Sequence, residues 1–290
     1  MCELLGISSS TKVRPGHYFR VFRQRGQEFE DGQGNPDGWG IACYPDGGKA
    51  VQVVKESIPA ASSKLAKFVS TYEYLCSTIF VAHVRKASQG IVAYHNTHPF
   101  SREAGGREYV FAHNGTIRTV QKFSLGRHKP VGSTDSEYLF CHILNFIDQR
   151  DIGGWTEDYL IEFWKFLVAI NCWPTEDQEK PNKINLLITD GVTLLAYTDY
   201  FGNGTLHQLH LRLTSEAIAS GRKISGCPQT KHNDEESICV VATRPISGDK
   251  LWVSVGPGEL RAFRNGAQVF SSGALRSGGW PQLAGKSLPG

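Results

Sequence analysis

Met1-Cys2-Glu3-Leu4-Leu5-Gly6-Ile7-Ser8 opens the chain. Leu4, Leu5 and Ile7 sit in an apolar run of the length of a short buried strand, with Cys2 just ahead of it. If Met1 is trimmed, Cys2 carries a thiol and a free α-amine on one residue, so a nucleophile and its base arrive together. An α-amine has a reference pKa of about 7.7 to 8.0 and a thiol about 8.5, so near neutrality a useful fraction of the amine is unprotonated and accepts the thiol proton. A cysteine that merely happens to stand second does none of this. The remaining sequence decides between the two by supplying, or not, the other parts of an acyl-transfer site.

Working outward, residues 14 to 36 are polar, with Pro15, Gly16, Gly26, Gly32 and Gly34, and read as a short helix followed by a loop. Asn35-Pro36-Asp37-Gly38-Trp39-Gly40 closes the loop and opens Ile41-Ala42-Cys43-Tyr44, which Pro45-Asp46-Gly47-Gly48 turns into Val51-Gln52-Val53-Val54 as an antiparallel hairpin. Residues 60 to 75 show near-helical spacing of apolar positions, and Thr78 to Val84 is a buried strand ending in His83-Val84-Arg85. Tyr94 to Phe100 and Glu108 to Ala112 flank Gly105-Gly106 as two further strands, the second running into His113-Asn114-Gly115.

Thr134-Asp135-Ser136-Glu137 has the spacing of a capping box, so a helix starts there with Asp135 in its first turn. A second helix is expected over 156 to 170. Ile184 to Thr189, Thr193 to Thr198 and Leu206 to Leu213 read as an antiparallel meander; a Gly/Ser/Lys-rich connection over 219 to 236 leads to Ser237 to Ala242. Leu251 to Val255 and the Asn265-Gly266 hairpin finish the sheet. Strands before, between and after one helix pair predict an α+β domain over residues 1 to 270, with helices covering stacked sheets. Residues 271 to 290 hold five Gly, four Ser and two Pro, and read as a flexible C-terminal tail.

The 290 residues, 40% hydrophobic and 20% charged, suffice for an ordinary core. With a formal charge of +3 and no long run of Lys or Arg, nothing marks a nucleic-acid or membrane surface. The seven cysteines, at 2, 43, 76, 141, 172, 227 and 239, include no Cys-x-x-Cys pair and read mostly as buried free thiols. The start has no basic and apolar regions of a signal peptide, and no stretch approaches the ~20 apolar residues of a membrane helix, so a cytoplasmic location is expected. The Asn-Gly-Thr sequons at Asn114 and Asn203 read as turns.

Acyl transfer at an amide needs a nucleophile, a base, donors for the oxyanion and groups that read the substrate's charged end. Asn114 and Gly115, on a tight turn at a strand end, offer a side-chain amide and a bare backbone N–H. Arg85 at another strand end suits bidentate capture of a carboxylate. Asp135 at a helix start suits an ammonium. Each also has a plain reading, as a turn, a surface ion pair and a cap.

Met1-Cys2-Glu3-Leu4-Leu5-Gly6, Asn35-Pro36-Asp37-Gly38-Trp39-Gly40, Ala82-His83-Val84-Arg85, Asn96-Thr97-His98-Pro99-Phe100, Phe111-Ala112-His113-Asn114-Gly115 and Ser133-Thr134-Asp135-Ser136-Glu137, in that order, resemble the class-II glutamine amidotransferases. The likeness is nearest to the stand-alone YafJ-type branch, which is also similar to enzymes that cleave γ-glutamyl groups from thiols. The resemblance implies a four-layer αββα N-terminal nucleophile hydrolase sandwich of antiparallel sheets covered by helices. It implies Cys2 as nucleophile with its amine as base, Asn114 and Gly115 as oxyanion hole, Arg85 as α-carboxylate ligand and Asp135 as α-ammonium ligand. His83 and Ser88 join them as substrate-binding candidates. Where larger family members carry Trp-Ala-Thr-His after the Arg, this chain has Lys86-Ala87-Ser88-Gln89, a departure at the wall of the glutamine pocket.

His83, His95, His98 and His113 could be read as a zinc cluster, but an N-terminal cysteine has no part in such a site and no metal is expected. Neither a Gly-x-Gly-x-x-Gly nor a Walker loop is present, so no cofactor or nucleotide is expected. The reading is a hydrolase of glutamine or a γ-glutamyl compound acting through a thioester on Cys2. The alternatives are a glutaminase subunit feeding ammonia to an acceptor enzyme subunit and a non-catalytic glutamine sensor. A penicillin-acylase-like amidase is disfavoured, because Arg85 and Asp135 suit an amino-acid head group. A homo-oligomer is compatible with any of these.

Overall fold

Leu4, Leu5 and Ile7 form a strand in the middle of a sheet. The computed structural model describes residues 2–27, 34–150, 154–175, 180–214, 227 and 235–276. Numbered in chain order, β1 (Glu3–Val13) lies antiparallel between β4 (Ser77–Val84) and β10 (Glu235–Ala242), with Leu5 opposite both Ala82 and Ala242. With β2 (Trp39–Cys43), β3 (Gln52–Glu56), β9 (His207–Thr214) and β11 (Val253–Ser254), they make a seven-stranded sheet in the order β11-β9-β10-β1-β4-β2-β3. A six-stranded sheet holds β5 (Phe100–Ala104), β6 (Arg107–Thr116), β7 (Lys183–Thr189), β8 (Leu194–Tyr197), β12 (Leu260–Arg264) and β13 (Ala267–Ser271), in the order β13-β12-β8-β7-β6-β5.

The two-residue period of the strands sorts their side chains into three cores. Leu5 and Ile7 pack with Phe19 and Phe22 of α1 (Gly16–Arg23) and with Ala66 and Val69 of α2 (Lys64–Val69). Leu4 faces the other way and meets Val110, Ala112, Leu187 and Leu194 of the second sheet. Phe111 and Ile188, on the far face of that sheet, pack against Phe140 and Ile143 of α3 (Asp135–Asp148) and Phe163 and Leu167 of α4 (Glu157–Asn171). The result is four layers, helix, sheet, sheet, helix. Each fully buried Leu, Ile or Phe among them contributes about 1.5–3 kcal/mol of transfer free energy. Among the described residues no helix is long and apolar enough to cross a membrane.

Several local expectations are corrected. Residues 94 to 96 form one short 3-10 turn, and the strand expected from Tyr94 begins only at Phe100. The helix expected over 60 to 75 is confined to Lys64–Val69, where the Ser63 side chain caps Ala66 N–H at 2.9 Å. The 184-to-213 meander divides: β7 and β8 pair in the six-stranded sheet, whereas β9 crosses to β10 in the other. Asn114-Gly115 is no turn, since β6 runs to Thr116 with Asn114 opposite Asn185 and Gly115 opposite Ile184. Within the segment read as a tail, Gly273–Arg276 is a short helix, α5, and 277 to 290 lie outside the described residues, as does most of the 219-to-236 connection. Cys76 and Cys227, read among the free thiols, form a disulfide across 151 residues of sequence, a proximity that spacing could not reveal. Cys43, Cys141 and Cys239 are buried and unpaired as expected.

Candidate active site

Cys2 stands two residues before Leu4, so the pleat directs its side chain to the same inter-sheet face. Its Sγ lies 3.3 Å from both the N–H and the carbonyl oxygen of Lys86, the residue after Arg85. Burial pushes the thiol pKa up, while the Lys86 backbone contact and the Arg85 charge pull it down. The resting group is therefore a thiol that needs a proton acceptor when it attacks.

Arg85 follows β4 and is 3% exposed. Its guanidinium donates to the carbonyls of Gln89 at 3.0 Å, Gly90 at 3.2 Å and Ile91 at 3.2 Å, so the loop that follows wraps back over it. Its backbone is pinned on both sides, N–H to Gly38 O at 2.8 Å and carbonyl from Asp37 N–H at 3.0 Å. The Asp37 carboxylate accepts Ala87 N–H at 2.7 Å and fixes the backbone next to Lys86. Gly38 takes a φ of +133°, where a side chain is strained and a Cβ would stand 3.0 Å from Thr97. Burial lowers the Arg85 pKa, and neighbouring Cys2, Asp37 and Asp135 raise it, so the four share one electrostatic neighbourhood.

Across the gap, Asn114 and Gly115 end β6. The Asn114 backbone carbonyl accepts from Asn185 Nδ2 at 3.2 Å. A Cβ on Gly115 would stand 1.9 Å from Lys183 O and 2.6 Å from His113 Nε2, so only glycine fits this close approach. Asp135 opens α3 under the Thr134 cap, where a carboxylate also suits the helix dipole. Its oxygens accept Ile117 N–H at 2.6 Å and Ser136 N–H at 2.9 Å. Thus Asp135 is tied to the backbone just beyond Gly115.

The family model for class-II glutamine amidotransferases matches residues 1–278. The chain belongs to that family. It is 33% identical to YafJ of Escherichia coli (strain K12) over 93% of this chain and 100% of that protein, and 37% identical to MJ1515 of Methanocaldococcus jannaschii over 95% of this chain and 72% of that one. A crystal structure of a predicted glutamine amidotransferase from Pseudomonas aeruginosa PA01 shares 26% identity and a TM-score of 0.59, covering 93% of this chain and 100% of that one. Glutamine phosphoribosylpyrophosphate amidotransferase from B. subtilis, at 16% identity and TM-score 0.59, shares the fold over 93% of this chain and 48% of its own.

On this amidotransferase fold, Cys2, Lys86, Arg85 and Asp135 are neighbours, and Asn114 and Gly115 follow His113, whose carbonyl is tied to His83 of β4 at 3.2 Å. Ser88 is exposed on the loop beside them. His83 lies elsewhere than expected of a substrate ligand: it is fully buried, and its Nε2–H donates to His113 O at 3.2 Å, joining the two sheets beneath the site. Burial depresses its pKa to about 3, so it is neutral. His98 packs against it with ring centroids 4.3 Å apart, and His95 is exposed. Among the described residues no three His, Cys, Asp or Glu are grouped to hold a metal ion.

Two supporting residues carried no assigned role in the sequence. Asn96, fully buried, donates from Nδ2 to Ile91 O at 3.1 Å and Ser133 Oγ at 3.3 Å and accepts Ser133 N–H at 2.9 Å, joining the Arg85 loop to the approach to Asp135. His113 accepts from Ser136 Oγ at 2.9 Å and donates to Lys183 O at 3.1 Å. Both lie inside recognisable motifs, but only tertiary contacts give them their partners.

Proposed function

We propose that this amidotransferase hydrolyses a γ-glutamyl amide to glutamate through a thioester on Cys2, once Met1 has been removed. The observation that carries the reading is the thiol of Cys2 resting on the Lys86 backbone, directly beside Arg85. Arg85 takes the α-carboxylate and Asp135 the α-ammonium of the substrate. The Cys2 amine takes the thiol proton as sulfur attacks the γ-carbonyl carbon, and the oxyanion forms against Asn114 Nδ2 and the Gly115 N–H. Collapse breaks the C–N bond, and the proton passes from the amine to the leaving nitrogen. Water, deprotonated by the same amine, then hydrolyses the thioester to glutamate and the free thiol.

The amino-acid head is identical in glutamine and in γ-glutamyl peptides, so discrimination falls to the leaving-group side, where Lys86, Ser88 and the 14-to-36 segment are the candidates. Ser88 and Gln89 are exposed, which favours an open side that admits larger amines. Slow hydrolysis of glutamine is expected, with faster hydrolysis of at least one γ-glutamyl peptide or thiol. Comparing kcat/KM across a small γ-glutamyl panel tests this. A clear preference for glutamine, or turnover only when a partner protein is added, would favour a glutaminase subunit. Binding of glutamine without turnover would favour a sensor.

A further inference from the structure

The residue after the nucleophile, Glu3, is acidic, and it is only 4% exposed. The pleat turns it away from Leu4, toward the α1 layer. There its Oε2 accepts from Arg25 Nη1 at 3.0 Å and from the Thr243 hydroxyl, and its Oε1 pairs with Arg244. Arg25 also donates to the carbonyls of Arg244 at 3.1 Å and Pro245 at 2.7 Å. Thr243 brackets the next residue, taking Leu4 N–H on its hydroxyl and giving its own N–H to Leu4 O, each at 3.2 Å.

These contacts continue around the nucleophile. The Arg25 carbonyl accepts from Asn35 Nδ2 at 3.3 Å. Two residues on, Asp37 holds Ala87 N–H, next to the Lys86 backbone on which the Cys2 thiol rests. The circuit therefore leaves Cys2 through its peptide bond to Glu3 and returns to its sulfur through Lys86.

We propose that Glu3 is a positioning residue for Cys2, its carboxylate gripped by Arg25, Arg244 and Thr243 so that the terminal residue of the mature chain is held against the Lys86 backbone. The proposal rests on the reading of Cys2 as the nucleophile. A residue joined by one peptide bond at a chain end frays unless it is tied down. Apolar packing of the kind Leu5 and Ile7 already provide would stabilise the strand at least as well as a buried ion pair, which often contributes little net stability. What the ion pair adds is a fixed direction.

The test uses the full chain with Met1 removed, the variants Glu3→Gln, Arg244→Gln and Arg244→Lys, and the electrophile 6-diazo-5-oxo-norleucine. Labelling of Cys2 is followed by mass spectrometry, kcat and KM are measured on glutamine, and thermal midpoints on each protein. Glu3→Gln is expected to lower kcat and the labelling rate by roughly ten- to a hundredfold with KM little changed, because small misplacements of reacting groups cost on that order. Arg244→Gln should lose less in the same direction, and Arg244→Lys should recover part of the loss. If Glu3→Gln does not fold, Arg244→Gln decides alone, since the Arg244 side chain is 62% exposed. Unchanged kcat and labelling rate in folded variants, whatever their midpoints, would make Glu3 merely structural and overturn the proposal. Failure of the unsubstituted protein to label at Cys2 would remove the nucleophile reading itself, and this proposal with it.

Discussion

His113 Nδ1 lies 2.9 Å from the Ser136 hydroxyl, which locks the residue before Asn114 to the residue after Asp135. One buried hydrogen bond thus sets the spacing between the proposed oxyanion donors and the proposed ammonium ligand. Because His113 Nε2 already donates to Lys183 O, Nδ1 is the acceptor and Ser136 the donor.

Ser136→Ala should leave that buried acceptor unpaired at a cost of about 1–3 kcal/mol. Chemical denaturation measures the stability loss, and kinetics should show kcat falling and KM rising together. A stable variant with unchanged kinetics would deny the coupling.

Chemistry and binding should separate among the other site residues. Losing one oxyanion donor typically lowers turnover ~10²- to 10³-fold, about 2.7–4 kcal/mol, so Asn114→Ala should reduce kcat strongly with little change in ligand affinity. Arg85→Ala and Asp135→Ala should chiefly raise KM. An intact kcat in Asn114→Ala would dismiss Asn114 as a donor.

Acid should destabilise the fold. Burial holds His83, His98 and His113 neutral, with folded pKa values below the ordinary 6.5 and that of His83 at about 3. On acidification the unfolded chain takes up these protons first. Stability is therefore full above about pH 6.5 and falls below it, by up to about 1.4 kcal/mol per pH unit for each histidine. Thermal midpoints from pH 8 to pH 5 should show the decline, and His98→Leu should make it shallower. A flat profile in the unsubstituted protein would count against neutral burial.

The order of strands and helices made an α+β domain with helices over stacked sheets legible, but the layer order was implied only by the family resemblance: Leu4 and Leu5 stand in one apolar run, and only the fold sends them to different cores. The cap at Thr134 likewise predicts α3 at its observed start. Sheet membership was not legible: β9 follows β8 closely in sequence yet pairs with β10, since local pattern does not record which sheet a strand joins. Asn114-Gly115 has the composition of a turn, but the ladder to β7 keeps it extended and the Lys183 carbonyl excludes any Cβ there. The candidate site residues were named from the family resemblance, whereas the contacts of His113, Asn96 and Glu3 with Lys183, Ser133 and Thr243 come from positions far away in the sequence.

In the proposed mechanism Cys2 works as an N-terminal residue whose own amine is the base, which an attached Met1 would abolish. Intact-mass spectrometry of active protein, before and after reaction with a glutamine-analogue electrophile, tests it most directly. The expected result is a chain lacking Met1 that gains one adduct, located on Cys2 and absent from Cys2→Ala. Full activity in a preparation that retains Met1, or an adduct formed elsewhere while Cys2 stays free, would contradict it.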